Sequence, residues 1–165
     1  MVGLVADSVP TMPVIVVGAD TPGGEAIVAA LLLRGGEIRA FVTDPGAGAA
    51  LRKQGAKVAL GDLSDGSHVA AAAHHAFTAV LVEAAASDGR PLAFADDVTG
   101  VLTAWVGALG EASVQRAIWV GNPALSLVGG SAPEVTVVAP AGRTEGELAD
   151  EVADLNDRKR LRPEP

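Results

Sequence analysis

A chain of 165 residues is long enough for one domain with a sizeable core. Its net charge of −8 disfavours binding to nucleic-acid backbones, and the absence of cysteine excludes disulfides, thiolate metal ligands and a cysteine nucleophile. The N-terminus lacks the basic region of a secretory signal, and no apolar run approaches the ~20 residues that span a bilayer. We therefore expect a soluble, cytoplasmic protein that binds neither nucleic acid nor membranes.

Short apolar runs alternate with helical patterns along most of the chain. The predicted strands are residues 14–17, 38–42, 57–60, 79–82, 117–120 and 135–138. The predicted helices are residues 24–33, 45–54, from Asp65 or Ser67 to about 76, and from about 91 to 112. This alternation indicates βαβ units with right-handed crossovers. We predict an α/β fold with one doubly wound parallel sheet of about six strands in the order 3-2-1-4-5-6.

The two ends of the chain differ from this central region. Residues 1–12 precede the first predicted strand and are expected to form a disordered extension. From residue 143 the sequence is charged, and Leu148, Val152 and Leu155 form a narrow apolar stripe at helical spacing. The pattern predicts a C-terminal helix that is either solvated or docks against a second subunit. The folded domain is accordingly predicted to span residues 13–142.

A glycine-rich loop, GADTPGG at residues 18–24, joins the first strand to the first helix. In a dinucleotide-binding fold, such a loop turns tightly, lets the pyrophosphate approach the backbone and lets the helix pack closely on the sheet. Gly18 holds the first position of this pattern and Gly24 the last. Backbone N–H groups near Gly23 and Gly24 would then face an anion at the helix N-terminus. The alternative is a tight turn that binds nothing.

This loop and the segments after it resemble the atypical short-chain dehydrogenase/reductase group, the NmrA-like NAD(P)-binding proteins. Their loop reads G-A-T-G-x-x-G, and here Thr21 replaces the middle glycine, where its Cβ crowds the pyrophosphate and its hydroxyl can bond a phosphate. The resemblance covers about residues 13–142, and its GDLSD segment at 61–65 implies that Asp62 and Leu63 lie beside an adenine ring. It implies a Rossmann fold. The implied cofactor-binding residues are Gly18, Asp20, Thr21, Pro22, Gly23, Gly24, Thr43, Asp44, Asp62, Leu63, Ala84 and Asn122.

The end of the second strand bears on which dinucleotide is bound. NADP-preferring members of the family place a basic residue there, whereas this chain has Thr43 followed by Asp44. A carboxylate accepts hydrogen bonds from a ribose 2′-hydroxyl and repels a 2′-phosphate, so the sequence favours NAD over NADP. Asp44 is an equally good N-cap for the following helix. Arg34 and Arg39 would pair with a 2′-phosphate if they reached the loop.

The family's dehydrogenases use a tyrosine and a lysine four residues apart as a proton-donating pair. This sequence contains no tyrosine, which excludes that mechanism, and Gly121 and Asn122 stand where a serine is expected after the fifth strand. His74 and His75 are adjacent and are expected to lie on a solvated surface with no metal, as is His68. We therefore predict no catalytic residues.

The first prediction is an NAD(P)-binding protein without dehydrogenase residues that senses redox state, regulates a partner or serves as a subunit. A homodimer is expected, and Trp105 is interpreted either as core or as an interface anchor. One alternative is a small reductase of flavin- or quinone-like acceptors, with its pocket near Ala84–Ser87, Asn122 and Pro140. The 23 residues after Gly142 leave little chain for such a pocket. The other alternative is a pseudo-Rossmann interaction module with no cofactor.

Overall fold

The computed structural model describes residues 12–159 and 161. Residues 1–11, most of the predicted N-terminal extension, lie outside the described residues. The strands are β1 (Val14–Val17), β2 (Ile38–Val42), β3 (Lys57–Leu60), β4 (Thr78–Val82), β5 (Arg116–Val120) and β6 (Glu134–Val138). The helices are α1 (Pro22–Leu33), α2 (Pro45–Gln54), α3 (Gly66–Ala72), α4 (Val98–Glu111), α5 (Leu125–Val128) and α6 (Glu145–Asp157). A single 3₁₀ turn, Glu83–Ala86, follows β4.

The six strands form one parallel sheet in the order β3-β2-β1-β4-β5-β6, which confirms the predicted fold and strand order. At the centre, Val17 of β1 is in register with Phe41 of β2 on one side and with Leu81 of β4 on the other. All carboxyl ends therefore lie at the same edge. The strand order reverses between β1 and β4, and in doubly wound sheets ligands bind at such a reversal.

Each face of the sheet is covered by its own layer of helices. One apolar cluster joins α1, α2 and α6 to one face, and a second joins α3, α4 and α5 to the other. Trp105 and Trp119 are fully buried in the second cluster, with ring centroids 6.2 Å apart. The indole N–H of Trp105 donates to the carbonyl of Leu63 at 2.7 Å. Trp105 therefore belongs to the core of its own chain, and its interpretation as an interface anchor is wrong.

The C-terminal helix α6 is an integral part of the domain. Its apolar stripe of Leu148, Val152 and Leu155 is buried, and the helix packs against α1. Thr144 and Glu147 form a reciprocal capping box at its start. The predicted C-terminal helix is confirmed. Its apolar stripe is neither solvated nor directed at a second subunit, because α1 covers it.

The C-terminal end of α6 is held by Arg116, the first residue of β5. Its buried guanidinium donates to the carbonyls of Leu155 and Asn156 at 3.0 and 2.9 Å and pairs with Glu134 at 2.7 Å. A cation at this position also complements the negative end of the helix dipole. The contact ties α6 to the sheet.

Two predicted helix boundaries are wrong. Helix α4 begins at Val98 and not near residue 91, because Asp97 caps it through the N–H of Gly100 at 2.8 Å. Helix α3 ends at Ala72 and not near residue 76. Arg39 donates to the carbonyl of Ala72, and His75 takes a left-handed conformation (φ 66°) that does not continue a right-handed helix. Within the part of the chain that the structure describes, no helix combines the length and hydrophobicity needed to cross a membrane.

Candidate functional site

The glycine loop between β1 and α1 depends on two close backbone approaches. Gly18 has a positive φ of 86°, and a Cβ there would lie 2.7 Å from the Cβ of Ala85. A Cβ on Gly24 would lie 2.3 Å from the carbonyl oxygen of Gly18 and 2.8 Å from the Cα of Ala19. Side chains at these positions would push α1 away from the loop. Gly18 and Gly24 therefore hold the helix N-terminus against the carboxyl edge of the sheet.

Thr21, which replaces the middle glycine, turns its side chain into the loop. Its hydroxyl donates to the Gly18 carbonyl at 2.8 Å and accepts from the Gly24 N–H at 3.0 Å, and the residue is buried. The hydroxyl therefore caps the N-terminus of α1, and its hydrogen atom is already donated to the protein backbone. Because Pro22 has no N–H, the Gly23 N–H is the first-turn donor left for an anion.

Two cavities flank this loop at the carboxyl edge. The β5-side cavity, about 390 Å³, lies over the ends of β4, β5 and β6, and the β2-side cavity, about 470 Å³, lies over the ends of β1 and β2. The β5-side cavity includes five predicted binding residues, Thr21, Pro22, Gly23, Ala84 and Asn122, and also Ser87 and Pro140 of the predicted acceptor pocket. The β2-side cavity includes Asp20, Thr43 and Asp44. Eight of the twelve predicted residues are thus divided between two neighbouring cavities.

Glu83 lies in the β5-side cavity and was not among the predicted site residues. Its carboxylate accepts the backbone N–H of Asn122 at 2.8 Å. Gly121 has a positive φ of 149°, and a Cβ there would lie 2.6 Å from the Cβ of Glu83, so the close approach needs glycine. The signal was available in the sequence, because an acidic residue directly after a buried strand lies at the carboxyl edge. Arg143, also in this cavity, pairs with Glu151 of α6.

The β2-side cavity holds a charged network centred on Asp20 and Arg90. One carboxylate oxygen of Asp20 accepts the N–H groups of Thr43 and Asp44 at 2.9 and 3.1 Å. The other accepts from the Arg90 guanidinium at 2.8 Å, and the side chains of Asp20 and Arg90 are only 5% and 11% exposed. Arg90 also donates to Asp88 at 2.7 Å and to the Thr43 hydroxyl at 3.1 Å. This network fixes the end of β2 against the glycine loop.

The charge state of the network follows from its hydrogen bonds. The Arg90 guanidinium holds the pKa of the Asp88 carboxyl below its ordinary value. Burial lowers the pKa of Arg90, but its hydrogen bonds to Asp88 and Asp20 outweigh burial and raise the pKa above the ordinary value. Both groups are therefore charged at neutral pH. Sequence reasoning missed Arg90 because a helix was predicted to start directly after it, at about residue 91, which gave no reason to place its side chain at the end of β2.

Asp44 caps the helix that follows it, which was the alternative explanation of this residue. Its carboxylate accepts the N–H of Ala47 at 2.9 Å, and the side chain also borders the β2-side cavity. Neither arginine considered for a 2′-phosphate reaches the loop. Arg34 pairs with Asp154 and Asp157 of α6, and Arg39 pairs with Glu37 at the opposite edge of the sheet.

Asp62 and Leu63 line neither cavity, because residues 88–94 after β4 cross over them. We call residues 88–94 the covering segment. The Asp62 carboxylate accepts the N–H of Ala93 and both donors of Ser64, and the Ser64 hydroxyl accepts the N–H of Phe94. Burial raises the pKa of Asp62, but these hydrogen bonds outweigh it and hold the pKa below its usual value. The Leu63 side chain is fully buried in the core.

The histidines form no recognisable metal site. The ring centroids of His74 and His75 lie 3.8 Å apart beyond the end of α3, with the rings tilted by 46°, and His68 packs edge-on against Phe41. In the ranges that the structure describes, no group of three or more His, Asp or Glu side chains is placed to hold a metal ion.

A family model of NAD(P)H-binding proteins matches residues 18–153, which include the lining of both cavities and most of α6. The chain belongs to this NAD(P)H-binding family. The match confirms the expected resemblance to NAD(P)-binding proteins, and the six-stranded parallel sheet confirms the Rossmann-like fold. A comparison with the sequences of curated proteins gives no match.

Solved structures share the fold at low sequence identity. One is a Bacillus halodurans protein described as an NAD-dependent epimerase/dehydratase, with 20% identity, a TM-score of 0.68 and coverage of 89% of this chain and 88% of that chain. ChuY, an anaerobilin reductase from Escherichia coli O157:H7, has 15% identity, a TM-score of 0.62 and coverage of 91% and 93%. A Citrobacter triphenylmethane reductase complexed with NADP(H) has 16% identity, a TM-score of 0.56 and coverage of 87% and 46%.

Proposed function

We propose that this chain is a cytoplasmic NAD-binding protein that senses redox state or regulates a partner, as a homodimer or as a subunit of a larger assembly. The observation that carries the proposal is the pair of cavities on either side of the glycine loop. A dinucleotide has two halves joined by a pyrophosphate, and Rossmann domains bind it across the point where strand order reverses. Membership of the NAD(P)H-binding family supports the same ligand.

The residues around the loop fit such a ligand. The Gly23 N–H and the positive end of the α1 dipole would hold the pyrophosphate, and Gly23 borders the β5-side cavity. Thr43 and Asp44 would hold the adenosine ribose in the β2-side cavity, while Ala84 and Asn122 would contact the nicotinamide. We expect modest affinity, because Thr21 and Pro22 together remove two backbone donors from the first turn.

A preference for NAD over NADP follows from the charges of the β2-side cavity. Asp20, Asp44 and Asp88 border it together with a single guanidinium, that of Arg90. Carboxylates accept hydrogen bonds from a 2′-hydroxyl, whereas they repel the two negative charges of a 2′-phosphate. The sequence had based this preference on Asp44 and on Thr43 in place of a basic residue, and the two further carboxylates support it.

A small NAD(P)H-dependent reductase is the second candidate, and the β5-side cavity favours it. Val82, Val120 and Leu148 give that cavity an apolar lining beside the predicted nicotinamide position. A bound nicotinamide dinucleotide supplies hydride chemistry itself, so the protein need only orient a flat acceptor and exclude water. Chain length does not weigh against this candidate, since ChuY, a reductase, has 93% of its length covered by this fold.

The proposal is tested by calorimetric titration with NAD⁺, NADH, NADP⁺ and NADPH. We expect micromolar dissociation constants for the NAD forms and about tenfold weaker binding of the NADP forms. Gly23→Asp is the matched site variant, because a Cβ at Gly23 meets only the Leu148 side chain at 3.7 Å and a new carboxylate there repels a pyrophosphate. Gly23→Ala is its control. Absence of binding to wild-type protein at millimolar ligand would leave the interaction module as the surviving alternative.

NADH oxidation with flavin and quinone acceptors separates the two candidates. Saturable turnover that is lost in Gly23→Asp would establish the reductase. Binding without turnover across both acceptor classes would support the sensing or regulatory role.

A further inference from the structure

The guanidinium of Arg90 lies at the end of β2 although Arg90 follows β4 in the chain. It is 3.1 Å from the Thr43 hydroxyl and also bonds Asp20 of the glycine loop. The β2-side cavity is thus supplied with a cation by the covering segment and not by β2 itself. The inference below rests on the proposed function, because it concerns the adenosine half of a bound dinucleotide.

The position of this guanidinium is fixed by contacts at both ends of the covering segment. At one end, Asp88 and Asp20 hold the guanidinium through ion pairs of 2.7 and 2.8 Å. At the other, the N–H groups of Ala93 and Phe94 bond to Asp62 and Ser64 at 2.8 and 2.9 Å. Arg90 therefore faces the cavity with little freedom, and a guanidinium that is already held in place binds an anion at low entropic cost.

The two carboxylates that bond to Arg90 have different structural roles. Asp20 is buried and also bonds the backbone of Thr43 and Asp44, so it fixes the shape of the cavity. Asp88 is more exposed, and its carboxylate bonds Arg90 through both the side chain and the backbone N–H. Its charge offsets that of the guanidinium at the cavity wall. Asp88 is thus the residue whose charge can be removed with least disturbance to the loop.

We propose that Arg90 is the residue that decides between a ribose 2′-hydroxyl and a 2′-phosphate, and that Asp88 sets the decision in favour of the hydroxyl. With Asp88 ionised, the guanidinium is neutralised and the remaining carboxylates repel a 2′-phosphate. With that charge removed, the guanidinium binds the phosphate. The specificity of the site is then set by an ion pair within the covering segment and not by a side chain of β2.

The test uses two probes that differ only in the group at issue, 5′-AMP and adenosine 2′,5′-bisphosphate. Dissociation constants are measured for wild type, for Asp88→Asn and for the control variant Glu111→Gln. The control also removes one negative charge, but at the exposed C-terminal end of α4. The asparagine amide oxygen still accepts from Arg90, so the segment keeps its place. We expect Asp88→Asn to shift the affinity ratio about fivefold toward the bisphosphate, and Glu111→Gln to leave it at the wild-type value.

The variant Arg90→Gln, alone and combined with Asp88→Asn, completes a double-mutant cycle. The single variant is expected to shift the ratio toward 5′-AMP, and the double variant to lose the gain of Asp88→Asn. Thermal melts confirm that each variant is folded before its ratio is read.

The inference is overturned if Asp88→Asn leaves the ratio of the two affinities unchanged. It is also overturned if the gain in bisphosphate affinity persists in the double variant that lacks Arg90. In both cases the proposed function stands. Failure of both probes and of NAD⁺ to bind wild-type protein at millimolar concentration overturns the proposed function and the inference with it.

Discussion

Neighbouring glycines in the α1 loop serve different purposes. Gly24 lies where a Cβ would come within 2.3 Å of the Gly18 carbonyl oxygen, which is backbone and cannot move aside cheaply. Gly23 has room for a side chain, with the Leu148 side chain 3.7 Å away from a Cβ placed there. Gly24 is therefore needed for packing, whereas packing does not require glycine at position 23.

Gly24→Ala is expected to lower the free energy of unfolding by about 2 kcal/mol, because α1 must move off the loop to relieve the overlap. Urea denaturation measures the change. Gly23→Ala is the matched control and is expected to leave stability unchanged or slightly raised, since alanine favours helix. Equal destabilisation by both substitutions would contradict the packing role of Gly24.

At the residue scale, the sequence predicts groups whose role follows from local position. Gly18, Gly24 and the capping residue Asp44 belong to this class, since a strand, a turn and a helix start fix where they lie. Arg90 does not, because its place at the end of β2 depends on how a segment from elsewhere in the chain crosses the sheet edge. The burial of Leu63 likewise depends on α4, whose Trp105 bonds its carbonyl.

At the scale of elements, the polar sequence of α6 gave no indication of which surface its apolar stripe packs against. Its sequence is polar apart from one stripe, so the pattern predicts a helix but not the surface that covers it. That surface is α1, and Arg116 of β5 fixes the far end of α6 by bonds to its last carbonyls. The wrong start of α4 has a similar origin, because the backbone donors of residues 93 and 94 bond to Asp62 and Ser64.

Arg116→Met is expected to lower the free energy of unfolding by about 3 kcal/mol, because it leaves Glu134 and the carbonyls of Leu155 and Asn156 without their partner. Chemical denaturation provides the measurement. Arg34→Gln is the comparison, since Arg34 also links to α6 but through exposed pairs, and its effect is expected to be far smaller. Stability equal to wild type in Arg116→Met would contradict the anchoring of α6 by β5.

At the scale of the whole molecule, the strand order was predictable because alternating strands and helices with right-handed crossovers leave few arrangements. The crevice was predictable in position, since it lies where that order reverses. Its walls were predicted only in part, because Ala84, Asn122 and Pro140 follow strands directly, whereas the path of residues 88–94 over the sheet edge depends on long-range contacts. The central claim is that a dinucleotide binds across both cavities.

The most direct test of that claim is a titration of the labelled protein with NAD⁺, followed by two-dimensional amide NMR. We expect saturable shifts at Gly23, Thr43, Ala84 and Asn122, on both sides of the glycine loop, with no comparable change at Glu111. Adenosine monophosphate should shift the β2-side amides alone. Shifts that cluster away from the carboxyl edge, or none at millimolar NAD⁺, would contradict dinucleotide binding in this crevice.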